Sequence, residues 1–327
     1  MPQLLLALVL ILEAVPAGAS FDKRSYRLSG TILQEDGKPF RNATPMVFLQ
    51  GAVTPFSAQT QAGPDGRFVF KNLSAATYML IVDVPLAGEV RRTVEVGPSF
   101  ADSQGRVTIA IKFDSAGRVE KKQLVSAVEL SVPESARLEY DKAQDYLSRR
   151  DTKGAINCLN RAIALAPQFS AAWNNLGTIA YQTRQYQQAE EYFRTALQHD
   201  PEAYNPLVNL GGALLAQAKI EDSLTINQRA VRVKPDDPLA HSQLGKSYYF
   251  LGELDEAETH LRQAKALDPS HFSYPQVVLV EIYARRNQLP AAIAEIEEFL
   301  KLHPDSEMAP RMQKALADAR ARLSSKP

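Results

Sequence analysis

The stretch WNNLGTIAYQTRQYQQAEEYFRTALQHDP, residues 173–201, decides the fold of this chain. It closes on a proline that recurs: Pro167, Pro201, Pro235 and Pro269 follow one another at a step of 34. Ala162, Ala196, Ala230 and Ala264 keep the same step five residues before each proline, and Ala155, Ala189, Ser223 and Ala257 stand seven residues earlier again. A period near 34 with small residues at fixed offsets is the pattern of stacked helical hairpins. It predicts that the C-terminal half is a surface for holding something rather than a place for chemistry.

The columns have a physical reading. Two antiparallel helices, A and B, cross closely where side chains are small, at Ala143, Gly177, Gly211 and Gly245 on helix A and at Ala155, Ala189, Ser223, Ala257 and Ala292 on helix B. Ala162, Ala196, Ala230 and Ala264 let helix B meet the next repeat, while Leu176, Leu210, Leu244, Tyr192 and Leu261 fill the space between. Each proline ends helix B and, with the preceding Asp200 or Asp268, is expected to start the next hairpin. Pro206, Pro238 and Pro275 sit in first turns of helix A, where the missing N–H is harmless. Five repeats are expected over 134–304, at approximately 136–169, 170–203, 204–237, 238–272 and 273–306. The fifth follows a one-residue slip of the proline to Pro304 and carries the bulky Val280 and Phe299. Residues 305–327 then read as a capping helix and tail, with Met308, Met312, Ala315, Leu316, Ala319 and Leu323 on one apolar stripe.

This half resembles a tetratricopeptide-repeat array. Residues 173–201 carry Trp173, Leu176, Gly177, Tyr181, Ala189, Phe193, Ala196 and Pro201 in the family's order. The resemblance implies a bent solenoid whose A helices line a concave groove, with groove-facing residues near the second, fifth, sixth, ninth, twelfth and thirteenth places of each repeat. The sixth place holds Asp141, Asn175, Asn209, Gln243 and Val278. An amide offers both donor and acceptor and can bond a peptide backbone whatever its sequence. The candidate peptide-binding residues are therefore Asn174, Asn175, Thr178, Tyr181, Asn205, Asn209, Gln243, Lys246 and Tyr249. The Asn175→Ala, Asn209→Ala double variant is expected to weaken peptide capture without lowering the melting temperature. The set is nearly neutral. Related arrays grip a terminal carboxylate with Lys, Asn and Arg, but the corresponding places hold Tyr140 and Gln144, so a neutral extended segment is the expected ligand.

From Tyr26 to Phe113 helical periodicity is absent. Short β-rich runs at Tyr26–Leu33, Met46–Gln50, Ser57–Ala62, Arg67–Lys71, Tyr78–Val84, Val90–Val96 and Val107–Phe113 alternate with turn signals, as in a sandwich. Gly63-Pro64-Asp65-Gly66 is a tight connection whose Asp-Gly pair tolerates positive φ. In Arg67–Lys71, Phe68 and Phe70 fall on one face and Val69 on the other. The stretches LSGTILQEDGKPFRNATPMVFL, AGPDGRFVFKNLSAATYMLIV and RRTVEV resemble the carboxypeptidase regulatory-like domain, a transthyretin-like seven-strand sandwich. That resemblance implies an accessory module without catalytic residues. An aromatic platform for sugar would draw on Phe40, Phe48, Phe56 and Phe100. The fold class is thus multidomain: an all-β sandwich over 20–113, a linker over 114–133 and an all-α solenoid of helical hairpins.

Composition narrows function. The 327 residues carry 37 basic and 37 acidic side chains, so no strong field is available for nucleic acid or an anionic membrane. Leu4 to Leu12 is a continuous apolar run, followed by Pro16 and the small residues Ala17-Gly18-Ala19. This reads as a signal peptide over 1–19 and predicts export to the bacterial periplasm or beyond, an uncleaved anchor being the alternative. No later segment is apolar enough to span a membrane. Asn42 and Asn72 match the glycosylation sequon, a pattern frequent by chance that carries no weight here. Cys158 is a single cysteine and cannot form an internal disulfide. The five histidines, His199, His241, His260, His271 and His303, are scattered and form no metal-ligand spacing. No catalytic residue, metal or cofactor is expected. The sequence predicts an exported, non-catalytic scaffold that binds protein or peptide in the groove. The alternatives are a carbohydrate or cell-wall polysaccharide module acting through the sandwich, and an accessory subunit of a secreted enzyme complex.

Overall fold

The computed structural model describes residues 24–40, 43–85, 87–113 and 131–324. The signal peptide, the sequon at Asn42 and most of the expected linker lie outside the described residues. The chain divides into two compact units, one running from Arg24 to Pro235 and one holding Asp236 onward.

The first unit opens with strands β1 (Tyr26–Gln34), β2 (Met46–Gly51), β3 (Ser57–Gln61), β4 (Arg67–Leu73), β5 (Ala76–Val84), β6 (Gly88–Val96) and β7 (Arg106–Phe113). They form a three-stranded sheet in the order β4-β1-β7 and a four-stranded sheet in the order β3-β2-β5-β6. All pairings are antiparallel except β1 with β7. Alternation turns Leu28 and Ile32 of β1, Val47 and Leu49 of β2, and Tyr78, Leu80 and Val82 of β5 into one apolar core between the sheets. Phe68 and Phe70 join that core, their rings edge to face at 6.1 Å.

The turn from β3 to β4 is built as its residues dictate. Asp65 Oδ1 accepts from Arg67 N at 3.1 Å, and Gly66 takes a left-handed φ of 74°. A Cβ on Gly66 would stand 2.3 Å from the carbonyl oxygen of Ile32. Gly66→Ala is therefore expected to destabilise the sandwich by about 2 kcal/mol, measured by urea denaturation. An unchanged midpoint would show that the turn relaxes freely.

Among the described residues six helices follow in this unit: α1 (Glu134–Ser148), α2 (Thr152–Leu165), α3 (Ser170–Gln182), α4 (Tyr186–His199), α5 (Tyr204–Ala216) and α6 (Ile220–Val233). They pair antiparallel as three hairpins. The small A-helix column works by close approach: a Cβ on Gly177 would meet Phe193 Cε1 at 2.5 Å. Phe193 is fully buried and occupies the space that the glycine leaves. Cys158 is buried in the first hairpin, where desolvation raises its thiol pKa and keeps it protonated.

The second unit holds α7 (Pro238–Leu251), α8 (Leu254–Leu267), α9 (Pro275–Arg285), α10 (Leu289–Leu302) and the closing helix α11 (Ala309–Ser324). In α10 the bulky Phe299 is fully buried, its ring 5.3 Å from Tyr274, and Met312 of α11 packs into the same core. Pro238 and Pro275 stand in first turns, as expected.

One capping expectation is corrected. Asp200 and Asp268 do not start the next hairpin; each is the C-cap of the helix before it, and α5 and α9 start after Ala203 and Tyr274 with no side-chain cap. The two or more residues following each proline carry the chain around the corner first, leaving the aspartates too early to reach the new N–H groups. Asp237 lies next to its helix and does cap it, accepting from Leu239 N at 2.9 Å and Ala240 N at 3.2 Å.

A second period is visible only in the backbone. The residue that turns helix A into helix B is left-handed in every hairpin: Arg150, Arg184, Ala218, Gly252 and Asn287, with φ from 56° to 85°. Only one of the five is glycine, so residue type does not announce this position.

Candidate functional site

In the first unit the A helices bring their polar side chains into register with one another. Asn175 donates from Nδ2 to Tyr140 Oη at 3.1 Å. Asn209, one repeat later, donates to Asn174 Oδ1 at 3.0 Å and Thr178 Oγ1 at 3.4 Å. Thr178 itself donates back to the Asn174 carbonyl at 3.0 Å. Each amide therefore spends donor capacity on the preceding A helix. Neither Asn175 nor Asn209 has a partner for its Oδ1 among the described residues, and both side chains are half-buried. Asn174 is buried, Asn205 is exposed, and Tyr181 is 37% exposed with its ring 5.5 Å from Tyr186.

The sandwich packs onto these hairpins. Gln182, at the thirteenth place of the second repeat, donates from Nε2 to the Gly51 carbonyl at 2.9 Å. Arg150 donates to Tyr78 Oη at 3.2 Å and lies 5.2 Å over the Phe56 ring. At the opposite edge of the same sheet, Glu89 of β6 pairs with Lys234 at 2.9 Å, while Arg91 and Lys234 both face the Tyr204 ring, at 5.6 and 5.5 Å. Burial is the largest single influence on the Glu89 carboxyl and pushes it up, but Arg91 and Lys234 together outweigh it and hold it below the ordinary range.

Of the aromatics proposed for a sugar platform, Phe56 is in the sandwich core and Phe40 packs edge-on against Phe113 at 5.5 Å. Phe48 is half-buried, and Phe100 is partly exposed at the rim.

In the second unit Gln243 is buried, and its Oε1 has no partner among the described residues. Lys246 donates from Nζ to the Ser273 carbonyl at 2.9 Å; desolvation lowers its ammonium to about 8. Tyr249 donates to Glu281 Oε2, and the Arg285 guanidinium lies 4.4 Å over its ring. Burial, the largest influence on both groups, raises the Tyr249 phenol and the Glu281 carboxyl.

Tyr140 was read from sequence only as a departure from the carboxylate clamp, and Gln182, Glu281 and Arg285 were not singled out. They hold the fifth, thirteenth, ninth and thirteenth places of their repeats, so the same indexing, extended to the first and fifth repeats and to every groove place, would have found them. The histidines do not converge on a ligand site. His241 and His260 face each other with Nδ1 atoms 3.0 Å apart, while His271 and His303 are fully buried. Among the described residues no three His, Cys, Asp or Glu side chains stand together as a metal site, and no helix is long and apolar enough to cross a membrane.

The helical half matches known repeats. Family profiles described as tetratricopeptide repeat match residues 140–206, 180–246 and 238–271. Among curated proteins, the chain is 30% identical over 104 residues to the protein STIP1 homolog of Dictyostelium discoideum, covering 32% of this chain and 18% of that protein. It is 24% identical over 157 residues to anaphase-promoting complex subunit 3 of Schizosaccharomyces pombe, covering 48% and 24%. The chain thus spans under a quarter of the length of these relatives. A solved structure of a thermophilic tetratricopeptide-repeat protein from Thermus thermophilus is similar at 23% identity and a TM-score of 0.45, covering 57% of this chain and 99% of that one. The helical hairpins of residues 140–271 are tetratricopeptide repeats.

Proposed function

We propose that this protein is a non-catalytic adaptor that captures an extended, largely neutral protein segment along its A helices. Tetratricopeptide-repeat proteins mediate protein–protein interactions, and the curated relatives include subunits of a multiprotein complex. One observation carries the finer reading: Asn175 and Asn209 stand at the same place of successive repeats, half-buried, each with an Oδ1 acceptor that no described residue uses. An acceptor repeated at each hairpin suits the backbone N–H groups of an extended chain, and partial burial strengthens each bond. Tyr181 adds a broad, rigid contact surface beside them.

The test is binding of the whole chain to an array of neutral, unstructured peptides. Each hydrogen bond contributes about 0.5–1.5 kcal/mol, so the Asn175→Ala, Asn209→Ala double variant is expected to bind about tenfold more weakly. Because both Nδ2 groups bond the neighbouring helix, that variant is also expected to lose about 1 kcal/mol of stability, contrary to the neutral melting temperature anticipated from sequence. Undiminished binding by a folded double variant would remove the two amides from the site.

We further read the sandwich as an accessory module of the carboxypeptidase regulatory-like kind, and the protein as exported. The turn chemistry of Gly63–Gly66 supports the first reading, and the apolar run Leu4–Leu12 before Ala17-Gly18-Ala19 supports the second. N-terminal sequencing of protein recovered from a periplasmic fraction is expected to begin near Ser20; an intact Met1 in the cytosol would oppose export.

A further inference from the structure

The four-stranded sheet has two faces. Tyr78, Leu80 and Val82 of β5 point into the sandwich core. The residues between them, Met79 and Ile81, point the other way, and so do their cross-strand partners Thr93 and Arg91 of β6. An outward sheet face in water would leave such side chains open. Instead Ile81 and Thr93 are each only 8% exposed, and Ile81 belongs to no part of the sandwich core. This sheet touches the helical hairpins at two separate places, at the β2–β3 connection through Gly51 and Phe56 and at its β6 edge through Glu89 and Arg91.

The helices tell the same story from their side. Gln182 and Tyr204 mark opposite ends of neighbouring A helices, and the sandwich reaches both. Between those ends, Val208 and Gly212, which occupy groove places of the third repeat, are buried, while Asn205 is exposed and Asn209 half-buried. Buried groove places on a surface helix that also shows exposed ones mean that part of its outer stripe is covered.

We propose that the outward face of the four-stranded sheet is a resident cover on the A-helix face of the first three hairpins, latched by the Glu89–Lys234 pair, and that a bound protein segment must displace it. The proposal rests on the peptide-capture reading above and gives it a regulation. The contacts named between the sandwich and the hairpins are polar: the Glu89–Lys234 ion pair, the cation–ring contacts of Arg91 with Tyr204 and of Arg150 with Phe56, and the hydrogen bonds that Arg150 and Gln182 donate to the sandwich. Contacts of this kind between domains of one chain open far more readily than an apolar core. A ligand whose site is open only part of the time binds more weakly by that fraction, so loosening the latch raises apparent affinity.

The experiment uses the full chain in a Cys158→Ala background, with Met79→Cys as a reporter on the covered face. Maleimide labelling of that thiol is expected to be slow. Lys234→Glu places two acids together and is expected to speed labelling about tenfold or more. Combining it with Glu89→Lys restores an opposite pair, beside Arg91, and is expected to return labelling to the slow rate. That rescued variant also separates latch opening from failure to fold. Equal labelling rates in the single variant and the parent would overturn the cover, as would a double variant as fast as the single one. Binding to the neutral peptide array is measured on the same three proteins, and Lys234→Glu is expected to bind about tenfold more tightly than the parent. If labelling follows the latch while none of the three binds any peptide, the peptide-capture reading fails and the displacement part of the proposal fails with it. If peptide binds equally to all three, capture stands and the cover as a regulator is overturned.

Discussion

Replacing Phe193 by alanine is expected to lower stability by about 3–5 kcal/mol. The ring is fully buried between α3 and α4 and packs with Ala180, Ala189, Leu210 and Leu214. Its edge lies where a side chain on Gly177 would begin. Gly177→Ala alone is therefore expected to destabilise by about 1–3 kcal/mol through overpacking. The two positions should couple. In the Gly177→Ala, Phe193→Leu double variant the new methyl takes up space that the ring edge held, so the loss should fall below the sum of the singles by about 0.5–3 kcal/mol. Circular dichroism during urea denaturation reads all of these values. Because each repeat in such an array contacts only its neighbours, the Phe193→Ala transition is also expected to broaden. Additive losses would mean that the glycine column does not answer the ring.

Lys265→Met is expected to produce the second large effect, about 3 kcal/mol at neutral pH. Lys265 bridges Glu295 at 2.8 Å and Glu298 at 2.9 Å, linking α8 to α10 within the second unit. Burial is the largest influence on the Glu295 carboxyl and raises it; Lys265 opposes that push, while the Glu298 charge adds to it. Removing the ammonium takes away the main influence that opposes the upward push on this buried acid and leaves only the weaker pull of the Arg262 charge. A carboxyl whose folded pKa lies above its unfolded value destabilises the fold once pH rises past that folded value, and the penalty disappears below its unfolded value, about 4.3. The loss in Lys265→Met should therefore be largest at pH 7 to 8 and shrink toward pH 5, as Glu295 takes up a proton. Glu295→Met in the same chain should recover most of it, since an apolar pair of similar volume often replaces a buried ion pair without loss. Melting curves across that pH range check both statements. A loss independent of pH would show that the destabilisation does not come from an unpaired Glu295 charge.

How much of this was legible beforehand depends on the range over which each interaction acts. The hairpins were readable because helix crossing makes a local, repeated demand for small residues, and that demand leaves Gly177, Gly211 and Gly245 in a column. The strands were readable for a similar reason: alternation writes burial on one face of the sheet into successive residues. The candidate groove places followed by counting, which puts Asn175 and Asn209 at the same place of successive repeats, and each donates to the preceding A helix. What counting could not supply was the partner of each side chain. The amide of Asn209 turns to Asn174 and Thr178, and nothing in residue type distinguishes such a link from an amide open to ligand.

The sequence by itself determined the architecture: a β-sandwich, then helical hairpins of one period, with the prolines at their boundaries. Pattern suffices there because secondary structure and nearest-neighbour packing are decided by residues a few places, or one repeat, apart. Only the tertiary structure decided what lies on the A helices. Glu89 and Lys234 are separated by 145 residues and Gly51 and Gln182 by 131. Their meeting follows from the shapes of two independently built surfaces, and shape complementarity over such a separation leaves no period in the chain to read. The buried Ile81 was therefore unremarkable as a strand residue and informative only once the structure placed it on the outward face.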